Sequence, residues 1–489
     1  MSNINPLNQP EIRLLIAEHL KRSDLVRCLR VCWSWHDTFL PLVWEKYLSV
    51  DNSCRIELPQ DVMTPEVLRS HRHLIKDLKI VDWSGNYPIA FPRIQKLDFH
   101  LDKGRTPFLE KYLAPLIRQN QSLVRLHLRS DSNDYHSPDW EALLELPHLR
   151  ELSLGMSSIQ EDDIVRFWTI CENLESLLLE HVTFPRGTTL HASMCFRNIR
   201  ELMLFSVSGM ENDGLFRLIS ACPNLEDLAW SCSISVDLDN ALEDDGAMGG
   251  SYFEKFAKEV ARKRWPKLTS LTMGGQWTEE DMCLIIEGMQ RVKKIDLYDT
   301  FGPLTFQVLQ RHFNNLVQLE VESNSEETSI LLQNIMCFCP ALKKLKGGSV
   351  LAKDVVEGKP WVCLSLETLS ICFMFSDTEQ HLQPLIFECL AKLTRLEQLY
   401  SWAFRTPFHE KYPDPLQFRL ESGLNALSGL RRMVTLFSSR SRSLSENELK
   451  WMLAHWKELT SVTADVDIDD RTRIEVQNLF KSRGIKLRL

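Results

Sequence analysis

The sequence predicts an α/β fold: a curved stack of short strand–turn–helix units, preceded by a separate element of three short helices. Three observations predict it. An apolar-x-x-apolar-x-apolar pattern returns along the chain from residue 75. A run with helical spacing follows many of its copies, and residues 1–50 share neither feature. Length alone points elsewhere, since 489 residues at about 150 per domain would make roughly three domains. A chain of repeats escapes that division. Hydrophobic residues at 44% and charged residues at 25% are ordinary globular values, which excludes wholesale disorder. A formal charge of −9 argues against a nucleic-acid protein held by bulk positive charge.

Residues 1–50 come first. Pro10 sits at a helix start, where its missing N–H costs nothing, and Ile12, Leu15, Ile16 and Leu20 form an apolar face behind it. Ser23 is placed to cap a second helix carrying Leu25, Cys28, Leu29 and Cys32. A third carries Phe39, Leu42, Val43 and Tyr47. This segment resembles an F-box. The family pattern is Leu-Pro-Glu-hydrophobic, an Ile/Leu helix, Asp-Leu, then Val-Cys-x-x-Trp. It stands here as Leu7, Pro10-Glu11-Ile12, Leu15-Ile16, Leu20, Asp24-Leu25 and Val31-Cys32-Trp33-Ser34-Trp35. Leu7 is set off from Pro10 by two extra residues, a departure from the usual Leu-Pro pair. Residues 39–44, Phe-Leu-Pro-Leu-Val-Trp, are similar to the continuation in many fungal F-box proteins. The resemblance implies a Skp-type adaptor and its cullin complex as partners. Its adaptor face maps onto Pro10, Ile12, Leu15, Ile16, Leu20, Leu25, Val31, Cys32 and Trp35. Fewer than about fifty residues bury too little surface to be stable alone, so such a trio leans on a partner. For Leu20 and Leu25 the trio's own core is an equal alternative.

Thr64-Pro65-Glu66 reads as a helix cap with proline at the first helical position. Its helix, roughly 65–74, feeds the first repeat strand without a Gly/Ser linker, so a rigid join is expected. The repeats start at residues 75, 94, 123, 149, 174, 199, 225, 268, 292, 316, 342, 366, 396, 430 and 459. Successive spacings from 123 to 225 are 26, 25, 25 and 26, and from 268 to 366 they are 24, 24, 26 and 24. Each unit has a helical second half. Leu215, Leu218, Ile219 and Cys222 share a face that Pro223 ends; Ile164, Phe167, Trp168 and Cys171 repeat it, as do Leu332, Ile335 and Cys339 before Pro340.

Period and core together resemble the leucine-rich repeat, and Cys222-Pro-Asn-Leu225 resembles its cysteine-containing subtype found in substrate receptors. Strands stack about 4.8 Å apart and helices need about 10 Å. The expected form is therefore a right-handed leucine-rich-repeat solenoid, a horseshoe with strands inside. The domain reading is an F-box over 1–50 and the solenoid over 51–489, with an acidic insertion at about 235–251 where the spacing widens to 43. That insertion reads as a solvated loop or a partner-binding one, and Ser438 to Ser443 as a second exposed loop.

No run of 18 apolar residues suggests a membrane span, and the N-terminus lacks a secretory pattern. Thirteen cysteines without a CxxC, several inside apolar helical patterns, fit a reducing cytoplasm or nucleus. Cys28, Cys32 and His36 share helical spacing but lack a fourth ligand, so neither metal nor cofactor is expected. No phosphate loop, HExxH or GxSxG is present, so the chain does not read as an enzyme. Gly347-Gly348 is expected to end a strand, and Arg262-Lys263-Arg264 to be a solvated helix face.

Outward strand positions nominate Phe205, Tyr298, Tyr400 and Trp402 as anchors for a protein target, with Arg125, Lys294 and Lys344 as charged contacts. Arg129 joins those three as a candidate for a phosphate. Neither a nucleic-acid nor a membrane partner is expected. The resemblance implies the substrate-recognition subunit of an SCF-type ubiquitin ligase with an unknown protein substrate. A non-degradative interaction scaffold or an inhibitor using the same repeats remains the alternative.

Overall fold

The computed structural model describes residues 6–20, 22–50, 65–80, 90–101, 113–130, 138–191, 193–210, 212–231, 250–262, 264–274, 277–298, 301–322, 326–401, 414–438, 444–465 and 468–488. The acidic insertion, the loop over 439–443, Thr64 and Trp402 lie outside them. Two compact units divide near Leu225, with the second taking up from Glu226.

The first unit opens with α1 (Pro10–Ala17), α2 (Arg22–Cys28) and α3 (Trp33–Glu45). Pro10 occupies the first turn of α1. Helix α2 begins at Arg22, so Ser23 lies inside it, and it ends at Cys28. Cys28, Cys32 and His36 therefore do not share one helix, contrary to the spacing argument. Among the described residues no group of three or more His, Cys, Asp or Glu could hold a metal ion. Ala17, Leu25, Phe39 and Val43 form the trio's core. Arg13 is buried as well, and it donates to Ser34 Oγ at 2.6 Å and to the Asn8 carbonyl at 3.3 Å.

Helix α3 does not extend through Tyr47. The chain passes from Glu45 straight into β1 (Lys46–Val50), which pairs in parallel with β2 (Asp77–Ile80). The β-propensity of Tyr47 and Val50 favours this. Helix α4 (Pro65–His71) and a 3₁₀ turn (Arg72–Leu74) precede β2. The join is tied at two points: Trp44 stacks on His71 with centroids 4.4 Å apart, and Glu45 pairs with Lys76 at 2.5 Å.

Strands β3 (Lys96–Leu101), β4 (Arg125–Ser130), β5 (Glu151–Gly155), β6 (Ser176–Glu180) and β7 (Glu201–Phe205) continue the parallel sheet in sequence order. Their inward residues, such as Leu126, Leu152, Leu177 and Leu202, are buried. The register has a local cause. Two consecutive N–H groups at each strand entry donate to one carbonyl of the previous repeat: Arg150 and Glu151 to Val124, then Glu175 and Ser176 to Arg150. Behind the strands, Phe167, Trp168 and Phe184 pack with centroids 4.7 to 5.9 Å apart. Met156, His181 and Ser206 each follow a strand with φ of 52–54°, the left-handed region where glycine or asparagine is favoured. Met156 and His181 donate their N–H groups to the next repeat's Glu180 and Phe205 carbonyls.

The second unit repeats the plan with β8 (Asp227–Ser231), β9 (Ser270–Gly274), β10 (Lys294–Tyr298), β11 (Gln318–Glu322), β12 (Lys344–Leu351), β13 (Thr368–Phe375), β14 (Gln398–Ser401), β15 (Asp414–Pro415), β16 (Thr435–Ser438), β17 (Ser461–Ala464) and β18 (Lys486–Arg488). All pair in parallel with the next repeat's strand except β15, which runs antiparallel to β13. Each unit is thus a stretch of leucine-rich-repeat solenoid.

Two expectations shift here. The repeat assigned to Leu430 is framed three residues later, on Met433 and Leu436, both fully buried. β18 was not anticipated. Gly347 and Gly348 do not end β12 but lie inside it, at a bulge between Lys346 and Ser349. A Cβ on Gly347 would approach Leu332 Cδ1 to 2.9 Å. Arg262 and Arg264 converge on Glu259 at 2.7 and 3.1 Å. Burial pushes the Cys171 and Cys222 thiols up, so both stay protonated.

Candidate protein-binding surfaces

Three surfaces carry the residues of interest. On the helical trio, Leu15, Val31 and Trp33 are 61%, 60% and 82% exposed, and Pro10 and Cys32 are exposed beside them. Ile12, Ile16, Leu20 and Trp35 are half-buried, with Leu20 and Trp35 packed against the core. Leu25 belongs elsewhere: at 8% exposure it is one of the four core residues, because α2 turns it onto Phe39 and Val43. Its part is internal packing. Leu14, and Trp33 of the Val-Cys-Trp motif, lie outside the adaptor face mapped from sequence, yet both are exposed. Trp33 and His36 meet in a T-shaped contact with centroids 5.8 Å apart.

The strand face of the first unit is a ladder of ion pairs. Lys96 faces Asp77 at 3.9 Å, and Lys79 and His127 both lie 3.7 Å from Asp98. Arg125 pairs with Glu151, whose carboxylate pushes the guanidinium pKa up. Arg129 reaches past Gly155 to Glu180 at 3.4 Å. A Cβ on Gly155 would stand 3.1 Å from Arg129 Cγ, so the glycine keeps that path open. Beyond the ladder lie the half-exposed Leu178, Met203 and Phe205. Leu178 was missed because Leu177-Leu178-Leu179 reads as a core run; only its outward register sets it apart.

On the second unit, Lys294 lies 3.5 Å from Asp296, which also accepts from Thr272 Oγ1 at 2.8 Å. Burial pushes the Asp296 carboxyl up, against the pull of Lys294. Lys346 pairs with Glu320. Lys344 is exposed and has no anionic partner among the described residues. Of the four cations considered for a phosphate, three are thus already paired with carboxylates, Arg125 and Arg129 on β4 and Lys294 on β10. A recess of about 360 Å³ opens between β11 and β16, lined by Lys344, Lys346, Thr368, Ser370, Tyr400 and Phe437 among others. Tyr400 and Phe437 face each other with centroids 6.2 Å apart. Phe437 escaped sequence reading because the Leu430 frame turned it off the outward register. Tyr298 lies on β10, in register with Glu322 of β11.

Residues 88–188 match the profile of the family described as "FBD-associated F-box protein At5g56370, LRR repeats". The F-box/LRR-repeat protein At3g58880 of Arabidopsis thaliana is 28% identical over 283 residues, covering 55% of this chain and 57% of that protein. The FBD-associated F-box protein At5g38590 of the same plant is 30% identical over 149 residues, covering 29% and 33%. The chain therefore spans about half the length or less of these curated relatives. The solved yeast complex of Rad7 and Elc1 contains a chain 14% identical, with a TM-score of 0.45 over 76% of this chain and 82% of that one. The fungal affinity expected from residues 39–44 finds no support in these plant relatives. By profile and by relatives, the chain is similar to F-box/leucine-rich-repeat proteins of plants.

Proposed function

We propose that this chain is the substrate-recognition subunit of an SCF-type ubiquitin ligase. The trio α1–α3 docks a Skp-type adaptor joined to a cullin complex, and the strand faces hold a target protein. The chain itself makes no bond; it supplies proximity to a conjugating enzyme. The observation that carries the reading is the exposure of Leu15, Val31 and Trp33 on a trio that continues directly into the first strand of the sheet. Burying each such anchor contributes about 1.5–3 kcal/mol before association costs. The tie of Glu45 to Lys76 supports a fixed geometry between adaptor face and first repeats. Buried, protonated thiols support a reducing cytoplasm or nucleus.

The test is co-purification of the full chain with a Skp-type adaptor, against a Leu15→Glu/Trp33→Ala variant. Equal recovery overturns the reading. Captured partners then separate a receptor from a non-degradative scaffold or inhibitor: an unchanged partner lifetime when cullin activity is blocked favours the scaffold.

A further inference from the structure

We infer that the recess between β11 and β16 seats an aromatic side chain of a partner protein whose neighbouring residue is acidic. The inference deepens the target side of the proposed function and rests on it for the occupant being a protein.

The recess has a register-level cause. Lys344 pairs across to Thr368 and on to Gln398, and Lys346 to Ser370 and on to Tyr400. Adjacent strands lie about 4.8 Å apart. The two short side chains of β13 therefore sit between the long ones of β12 and β14, and the gap above them is open. Its walls are the rings of Tyr400 and Phe437 and the methylene stems of Lys344 and Lys346. Lysine stems offer apolar surface while their ammonium heads stay in water. The Tyr400 hydroxyl donates to Gln398 Oε1 at 3.4 Å, which holds that wall. The two rings are tilted by 34°, and aromatic pairs favour offset or edge-on contact. A flat ring entering from solvent finds such contact, where an aliphatic chain gains area alone.

Charge decides the neighbour. Lys346 is matched by Glu320 and Lys294 by Asp296, so neither asks for an external anion. Lys344, an exposed residue of the lining, has no anion matched to it among the described residues. A carboxylate beside the inserted ring meets that ammonium; a second cation there is repelled.

The test titrates the full-length chain with three fluorescein-labelled decapeptide pools, randomised except for a central Glu-Trp, Lys-Trp or Glu-Ala, and reads anisotropy. The expected result is at least tenfold tighter binding of the Glu-Trp pool than of either other pool. Tyr400→Ala should abolish the preference over Glu-Ala. Lys344→Glu, at an exposed position, should turn the charge preference toward Lys-Trp. Equal affinities, no binding of any pool, or preferences that survive both substitutions overturn the inference. Adaptor recovery on the same protein reports the receptor reading separately. Retained adaptor with no pool preference defeats this inference alone, and the converse defeats the receptor reading alone.

Discussion

The helical trio and the repeats solve burial in opposite ways. The trio has four buried apolar residues and a buried arginine, and it leaves Leu15, Val31 and Trp33 in solvent. A repeat buries its inward strand residues almost completely, as Leu319, Leu345 and Leu369 show, because neighbours on both sides complete its core. The difference teaches that the trio is a surface in want of a cover, whereas the repeats are closed inside and vary only on their faces.

The largest expected effect breaks the repeats. Leu319→Ala should lower the stability of the second unit by about 2–5 kcal/mol in urea unfolding. Phe39→Ala removes a similar amount of burial but from a four-residue core. It should melt the trio locally, seen as rapid hydrogen exchange over residues 10–45 with the repeats' transition unchanged. A single transition lowered equally by both would show the two regions to be one cooperative body.

Next, Trp33→Ala alone should weaken adaptor binding tenfold or more, at about 1.4 kcal/mol per factor of ten, while thermal unfolding stays put. A drop in melting temperature would mean that Trp33 serves the trio's interior after all.

Within the repeats, Ser445 and Glu448 form a reciprocal cap on the helix Glu446–His455. Ser445→Ala should cost about 1 kcal/mol.

Acid should tell the regions apart too. Burial, assisted by Arg311, lowers the His312 pKa against a hydrogen bond the ring donates to the Ile286 backbone carbonyl, which raises it. The folded state therefore resists protonation. The stability His312 contributes is complete above its ordinary value of 6.5 and is lost as pH falls toward the depressed folded value. His312→Gln should flatten that slope in pH-dependent unfolding of the second unit. The smallest effect is a gain: Met156→Gly relieves a left-handed backbone and should add under about 1 kcal/mol.

Legibility follows the range of the interaction. Repeat starts from 75 to 396 could be read because each inward leucine is reported by its own neighbours two and three residues away. The frame at Leu430 slipped because Leu430 and Met433 are both buried, and either could open the pattern. β1 was hidden because a strand joined to a helix without a turn carries no boundary signal. Leu25 stayed open between core and docking face because an apolar residue on a short helix suits both equally.

By itself the sequence determined the period, the strand–helix alternation and the odd helical trio, since local spacing writes all three. Only the tertiary structure decided which strand-face charges are already spent. Arg125 meets Glu151 and Lys346 meets Glu320, each about one repeat away along the chain. Partners at that separation meet only when neighbouring strands come into register, so no local pattern records that Lys344 is left over.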